Sequence, residues 1–265
     1  KPTLSDYGVI AVGSTKDPLR LLGGDQSFFS LSHGKLFSAD TVFINAGTGA
    51  FVQQSMAASA VPERLLCAAL RIAGDERDTV MVAEGTVNAA ATALDWFWQQ
   101  HGVAPFSADD WQAAAVQAAQ DPSCVPLFCN RVTASGSPDW LSAGVPHFTV
   151  DALLPLRAVA VLESIVFALQ RNIDCLATAH THRKIVVSGG LSQLELFCRS
   201  MSDLVQCQVW RSDDVEACAR GAAMQLLPEA AGHPVYREYL PQENPALRQR
   251  YRQWSAMMDQ LAVAG

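Results

Sequence analysis

Several familiar kinds of chemistry are missing from this sequence. It has no Gly-x-x-x-x-Gly-Lys-Ser/Thr run, so no Walker-type phosphate loop is expected. The G-x-G-x-x-G dinucleotide fingerprint is absent too, which argues against a nicotinamide enzyme. None of the seven cysteines (Cys67, Cys124, Cys129, Cys175, Cys198, Cys207, Cys218) sits in a Cys-x-x-Cys pair, and their number is odd. The expectation is reduced thiols, mostly buried among apolar residues of a cytoplasmic protein. Positive charge is scarce: 19 Lys and Arg face 26 Asp and Glu, for a net charge of −7. General nucleic-acid binding, which needs clustered basic residues, is thereby excluded. No stretch of some 18 apolar residues occurs, so no membrane-spanning helix is expected. The opening "KPTLSDYGVI" lacks the charged-then-apolar layout of a secretory signal, and it lacks an initiator Met. The chain is therefore expected to be a piece of a longer protein. His180 and His182 stand as H-T-H without an evident third ligand, which reads as a polar loop after a helix. No metal ligands are assigned.

What is present is a globular composition, 49% hydrophobic over 265 residues, enough for one large domain or two small ones. The first 24 residues are a mixed lead-in broken by Gly13, Gly23 and Gly24. "QSFFSLSHG" (26–34) reads as a helix ending at Gly34. "VFINAGTGAFVQ" (42–53) reads as a hairpin with Gly47-Thr48-Gly49 at its tip. Runs 63–72 and 78–85 read as two further strands about a turn at Gly74 and Asp75, with a helix open for the Leu- and Ala-rich first run. Helices are expected over 86–102 and 107–121, the second with Ser107 and Asp110 spaced as a capping box. Residues 122–150 are rich in Pro and Gly yet carry Trp, Phe and Val, as a packed functional loop does. Beyond them come a long apolar helix (151–178), a strand into Gly-Gly (184–192), a helix capped by Ser192 (192–205), a strand (207–212) and a helix (213–227). An amphipathic helix (244–261) closes the chain. Alternating helices and strands in this half predict an α/β layer with partly parallel strands.

Four stretches carry chemistry. Asp25, after two glycines, is either a turn residue capping the next helix or a general base at a strand-to-helix corner. Gly47-Thr48-Gly49 is either a tight turn whose glycines take positive φ or a loop of bare amides and one hydroxyl for a phosphate. Gly189-Gly190 is an ordinary strand-to-helix turn or a place for an adenosine to approach the backbone. Gly221, on a helix with Glu216, serves close helix packing or nucleotide access.

The order of these pieces carries more than any one of them. G-D-Q is followed by G-T-G-x-F, then "EGTVNAAATALDW", then a "VPLF…SGSPDW" loop, then "LESIVFALQ", V-V-S-G-G-x-S and "EACARGAA". This series resembles the ATP-binding half of the FGGY carbohydrate kinases, the family of glycerol kinase and xylulokinase, from about residue 8 to about residue 228. The resemblance implies an α/β fold: an actin-like ATPase (ribonuclease H-like) domain, a mixed sheet flanked by helices. It implies that Asp25 deprotonates the sugar hydroxyl, and that Thr48, with Gly47 and Gly49, contacts the terminal phosphates of ATP. Gly190, beside Gly189, would lie against the adenosine. Ala91 and Asp95 occupy positions near the nucleotide where glycerol kinase carries Gly and Gln, and Leu194 falls where it has an adenine-contacting Asn. The implied division is 1–34 as the end of an N-terminal sugar-binding domain bearing the base, 35–228 as the ATP-binding domain, and 229–265 as a tail helix. The implied activity is transfer of the γ-phosphate of ATP, with Mg²⁺, to a hydroxyl of a small sugar or polyol. The chain lacks the family's N-terminal Asp-x-Gly-Thr loop, so alone it is expected to be inactive. A cytoplasmic protein with no membrane or nucleic-acid partner, able to form a homodimer, fits the same reading. The departures at Asp95 and Leu194 leave a second one: a catalytically silent relative that senses a nucleotide or sugar, or serves as an assembly partner.

Overall fold

Strand 41–46 is apolar on both sides, "TVFINA", and strand 184–188, "KIVVS", nearly so. Strands of this kind belong in the middle of a sheet covered on both faces. A computed structural model of the chain places them there. It describes residues 3–4, 9–12, 15–18, 21–22, 25–36, 38–71, 79–177, 184–227 and 234–264. Gly13, Gly23, Gly24, Gly74, Asp75, His180 and His182 lie outside them, and of Asp25 only the backbone is described.

The strands are β1 (Thr3–Leu4), β2 (Val9–Val12), β3 (Thr15–Pro18), β4 (Leu21–Leu22), β5 (Thr41–Ala46), β6 (Ala50–Ser55) and β7 (Leu66–Arg71). They continue with β8 (Thr79–Val87), β9 (Phe128–Cys129), β10 (His147–Phe148), β11 (Lys184–Ser188), β12 (Gln208–Ser212) and β13 (Tyr236–Tyr239). The helices are α1 (Asp25–Phe29), α2 (Ala91–His101), α3 (Ala108–Gln120), α4 (Leu154–Ala177), α5 (Glu195–Val205), α6 (Ala217–Leu226) and α7 (Pro245–Ala264). The main sheet has the order β13-β12-β11-β5-β6-β8-β7. β12, β11 and β5 run parallel, while β5-β6-β8-β7 is an antiparallel meander and β13 is antiparallel to β12. Parallel neighbours need long crossovers, and α4 and α5 supply them. The result is a mixed sheet flanked by helices, the architecture that the motif order implied.

Two cores result. Val42, Ile44 and Ala46 of β5 and Ile185 and Val187 of β11 face a large one shared with α2, α4, α5 and α7. Phe43 and Val186, one residue out of phase, face a smaller one with Phe29 of α1 and Ala217 of α6. The period-2 alternation of a strand explains the split. Helix α4 is buried along nearly its whole length, so its apolar sequence reflects the core it fills. Among the described residues no helix is long and apolar enough to cross a membrane.

The sequence readings meet this structure with some corrections. Within run 63–72, Leu66–Arg71 is strand as first read, not the alternative helix, and pairs with β8. The helix expected from 86 starts at Ala91, because 86–87 end β8. Ser107 and Asp110 form the expected reciprocal capping box, Ser107 Oγ accepting from Asp110 N and Asp110 Oδ2 from Ser107 N. Ser192 does not cap α5. Its hydroxyl donates back to Gly189 O (2.7 Å) within a 3₁₀ turn, and Leu194 takes the cap position without a side-chain bond. The segment 26–34 is a short α-helix followed by a 3₁₀ turn, kinked at Gly34 (φ +52°). The thiols are only partly buried: Cys129 and Cys198 are inside, while Cys67 and Cys124 are exposed.

Helix α7 is part of the body. Trp254 and Met258 sit in the large core, and the Trp254 indole donates to Phe128 O (2.9 Å). Arg250 makes a two-bonded pair with Glu163 of α4, both buried, and also reaches Pro122 O (3.2 Å). Arg171 of α4 joins Asp139 of the long loop (2.6 Å) to Asp259 of α7 (2.8 Å).

Candidate functional site

β5 and β11 are parallel neighbours, register Ser188 to Asn45, so their carboxyl ends share one edge of the sheet. From there the chain departs in opposite directions: β5 turns into β6, and β11 leads through α5 to β12. Such a divergence leaves a crevice at the strand ends, where open α/β sheets bind ligands. Both glycine motifs lie at this edge.

The tip Gly47-Thr48-Gly49 joins β5 to β6 and is closed by Gly47 N donating to Gly49 O (2.9 Å). Its carbonyls face α2. Thr48 O accepts from Ala90 N (3.1 Å), Thr92 N (3.2 Å) and Thr92 Oγ1 (3.1 Å), and Gly47 O accepts from Ala91 N (3.1 Å). The first amides of α2, which would otherwise lack partners, are spent in holding the tip. Neither tip glycine has positive φ, contrary to the tight-turn reading. Gly49 is required by crowding: a Cβ there would stand 3.2 Å from Val87 O. Among the described residues nothing crowds Gly47 comparably. The Thr48 side chain is exposed, and among the described residues its hydroxyl has no hydrogen-bond partner.

β11 ends in Gly189 at φ +91°. A Cβ there would meet Ala46 O at 2.5 Å and Asn45 Oδ1 at 2.9 Å, so only glycine lets the two strand ends pass. Gly190 is exposed and a Cβ on it would find open space, so no atom of the described residues explains that glycine. Ser188 Oγ, just before them, is buried without a partner.

On the other face, α1 begins at Asp25. Its neighbour Gln26 is tied to the sheet at this same edge: Asn45 Nδ2 donates to Gln26 Oε1 (3.4 Å) and Gln53 Nε2 to Gln26 O (3.1 Å). Gln53 also bonds Ser30 Oγ and, at 2.6 Å, Glu84 Oε2. Asp25 thus begins a helix whose next residue is tied to Asn45 of β5 and Gln53 of β6. His33, packed between Phe29 and Phe43 with Nδ1 2.9 Å from Tyr236 OH, anchors the next turn. Burial pushes its pKa down to about 4, against a raising influence of Asp214, so the ring is neutral.

Gly221 settles its own alternatives. A Cβ on it would lie 1.8 Å from Phe28 O, so α6 crosses α1 at backbone contact. Helix propensity alone favours Ala by about 1 kcal/mol. The clash outweighs it: Gly221→Ala is expected to destabilise the fold by about 1–3 kcal/mol, the usual range for overpacking. Urea unfolding of the two proteins checks the sign.

The remaining sites are more dispersed. Ala91 is half-buried beneath the tip. Asp95, one turn further along α2, is exposed and lines a shallow depression with Trp98, Gln99 and Pro105. Leu194 lines a different groove of about 360 Å³, between Trp111 and Gln112 of α3 and Arg199 of α5. The structure thus brings Gly47, Thr48, Gly49, Ala91, Gly189 and Gly190 to one edge, with the Asp25 backbone near it, and sets Asp95 and Leu194 apart. Asn45 and Gln53, which with Gln26 of the G-D-Q motif fix α1 there, were not singled out in the sequence. Their signal is a polar residue inside an apolar strand, a place where side chains need partners. Among the described residues no group of three His, Cys, Asp or Glu is placed to hold a metal.

Comparison with known proteins completes the picture. The sequence pattern of the FGGY family of carbohydrate kinases, C-terminal domain, matches residues 42–227. No curated protein matches. Among solved structures, a xyloylose kinase from Brucella ovis superposes with a TM-score of 0.74 at 15% identity, covering 100% of this chain and 58% of its own. A xylulose kinase from Rhodospirillum rubrum gives 0.74 at 17%, covering 98% and 56%. A Plasmodium falciparum glycerol kinase, solved with ADP, gives 0.73 at 16%, covering 98% and 55%. At these identities the likeness is one of fold, and the chain spans little more than half the length of these structures. With the pattern matched from β5 through α6 and the fold shared end to end, this chain belongs to the FGGY family of carbohydrate kinases.

Proposed function

We propose that this chain is the nucleotide-binding half of an ATP-dependent carbohydrate kinase, which passes the γ-phosphate to a hydroxyl of a small sugar or polyol. The observation that carries the reading is the meeting of Gly47-Thr48-Gly49 with Gly189-Gly190 at the diverging ends of β5 and β11. The residues fit a nucleotide. Thr48 offers an exposed, unpartnered hydroxyl on a tip fixed from behind, and Gly190 offers bare backbone facing open space. Neither feature serves the fold. ATP with Mg²⁺ would supply the phosphoryl group, and Thr48, the tip amides and Gly189-Gly190 would hold it.

In this reading Thr48 donates to the terminal phosphates, with the amides of the tip beside it, and Gly189-Gly190 give the adenosine a floor. Ala91 holds the tip in place through its amide. Asp95 and Leu194, given to the base end by the resemblance, line two separate depressions, so the reading rests on neither. Asp25 takes the proton of the attacking hydroxyl, and α1 carries it at the junction with the sugar-binding half, of which 1–34 is the end. Residues 35–228 form the ATP-binding domain and 229–265 its tail.

Calorimetric titration with ATP and Mg²⁺ tests the reading. Binding is expected, and Thr48→Ala is expected to weaken it by about 10-fold or more, since a hydrogen bond to a charged group contributes roughly 1.5–3 kcal/mol. Binding unchanged in Thr48→Ala would remove the tip from the site. No binding at all to the parent chain would favour the silent-relative reading instead.

A further inference from the structure

We infer that two further residues, Ser188 and Asn45, belong to the nucleotide site and act there as acceptors for the water shell of the divalent cation that ATP carries. The inference rests on the nucleotide reading above and deepens it. Ser188 closes β11 and is fully buried, yet its hydroxyl has no hydrogen-bond partner among the described residues. Buried hydroxyls are nearly always paired, and Ala would end the strand without the defect. A serine hydroxyl swings about one bond among three staggered positions, so it can turn to a group that arrives at the strand end.

Asn45 stands beside it. The two are register partners on neighbouring parallel strands. Each lies two residues beyond a member of the smaller core, Phe43 or Val186, so both face the side of the sheet that carries α1 and α6. The Asn45 amide donates to Gln26 Oε1 (3.4 Å) and to Cys218 Sγ (3.5 Å). Its two N–H groups are thereby spent, and Oδ1 is left an acceptor with no partner among the described residues. A Cβ on Gly189 would lie 2.9 Å from that oxygen, so it sits against the glycine pair given to the nucleotide.

An acceptor oxygen next to a triphosphate repels it unless a donor comes between. Mg²⁺ gives up its waters reluctantly, and a bound cation polarises them into strong donors. Neutral oxygens of Asn and Ser match such donors. Direct ligation would call for a different set, and among the described residues no three of His, Cys, Asp or Glu gather to provide it.

Calorimetric titration of the 265-residue chain with ATP, once with Mg²⁺ and once with EDTA in its place, tests the assignment. Mg²⁺ is expected to tighten binding to the parent. Ser188→Ala is expected to weaken binding of ATP with Mg²⁺ by about 10-fold, the usual contribution of one hydrogen bond to a charged group, and to leave metal-free ATP within about two-fold of the parent. Its urea midpoint should equal or exceed the parent's, because the unpaired hydroxyl is gone. The exchange-inert cobalt(III) tetraammine complex of ATP, whose ammines donate but are not displaced, should bind the parent and show the same loss in Ser188→Ala. Asn45→Asp, which sets a charged acceptor in place of a neutral one, should widen the gap between the two conditions. Thr48→Ala, by contrast, should weaken binding in both. A gain from Mg²⁺ that survives Ser188→Ala, a lowered urea midpoint in that variant, a gap no wider in Asn45→Asp, or a parent that rejects the cobalt complex would each overturn the assignment and leave the nucleotide reading standing. A parent that binds ATP in neither condition overturns both.

Discussion

Asp25→Asn is expected to lower phosphoryl transfer to the sugar by about 10²–10⁴-fold, the usual contribution of a positioned general base. The assay is steady-state kinetics in a longer protein that joins this chain to a sugar-binding half. Asn keeps the size and one acceptor of the carboxylate, so the loss is confined to proton acceptance. Affinity for ATP and Mg²⁺ should stay within a few-fold of the parent, because the amides and hydroxyl of the hairpin tip are untouched. The effect belongs in kcat rather than in KM for the nucleotide. The physical basis is the tether at the start of α1. Asn45 and Gln53 bind Gln26 at the carboxyl end of β5, and α6 presses on Phe28 with only a glycine between. Activity near the parent level in Asp25→Asn would assign the proton to another group.

What could be read in advance followed from local rules. β5 and β11 are legible as buried strands because both faces are apolar, and the α3 start because Ser107 and Asp110 stand at capping-box spacing. The order of motifs carried the family, since it depends only on chain sequence. Three-dimensional reasons for particular glycines were not legible. Gly189 is needed because β5 passes 2.5 Å from where its Cβ would be, and Gly221, for which close helix packing was one of two readings, because α1 passes 1.8 Å from its own; both partners are distant in sequence. The tip glycines looked like positive-φ residues, yet their geometry answers to α2, whose amides hold Gly47 O and Thr48 O. β13 was missed because "YREY" has no apolar alternation; its only buried member is Tyr239. Ser192 looked like a cap by composition, but a 3₁₀ turn intervened and took its hydroxyl. In each case a tertiary contact decided among locally equivalent options.

Glu163→Gln is expected to destabilise the fold by about 3–5 kcal/mol, as breaking a buried ion pair by one partner does. Glu163 and Arg250 are both buried, joined by two hydrogen bonds, one of 2.7 Å from Arg250 Nε. The neutral amide leaves the Arg250 charge in the core, with Pro122 O its remaining acceptor (3.2 Å). That acceptor is a dipole and cannot replace a carboxylate in a medium of low dielectric. The double variant Glu163→Leu, Arg250→Met removes both charges at once, and its stability should return to within about 1 kcal/mol of the parent or exceed it. Urea unfolding of the parent, two singles and the double closes the cycle, and the coupling energy isolates the pair. This pair is the buried polar link between α7 and α4, beside the contacts of Arg171 with Asp259 and of Tyr251 with Asp174, and its loss in the single variant should expose Trp254, whose fluorescence reports the tail separating from the core. If Glu163→Gln unfolds at the parent's urea midpoint, the charge is not buried in solution, and α7 is held by its apolar face and its other polar contacts.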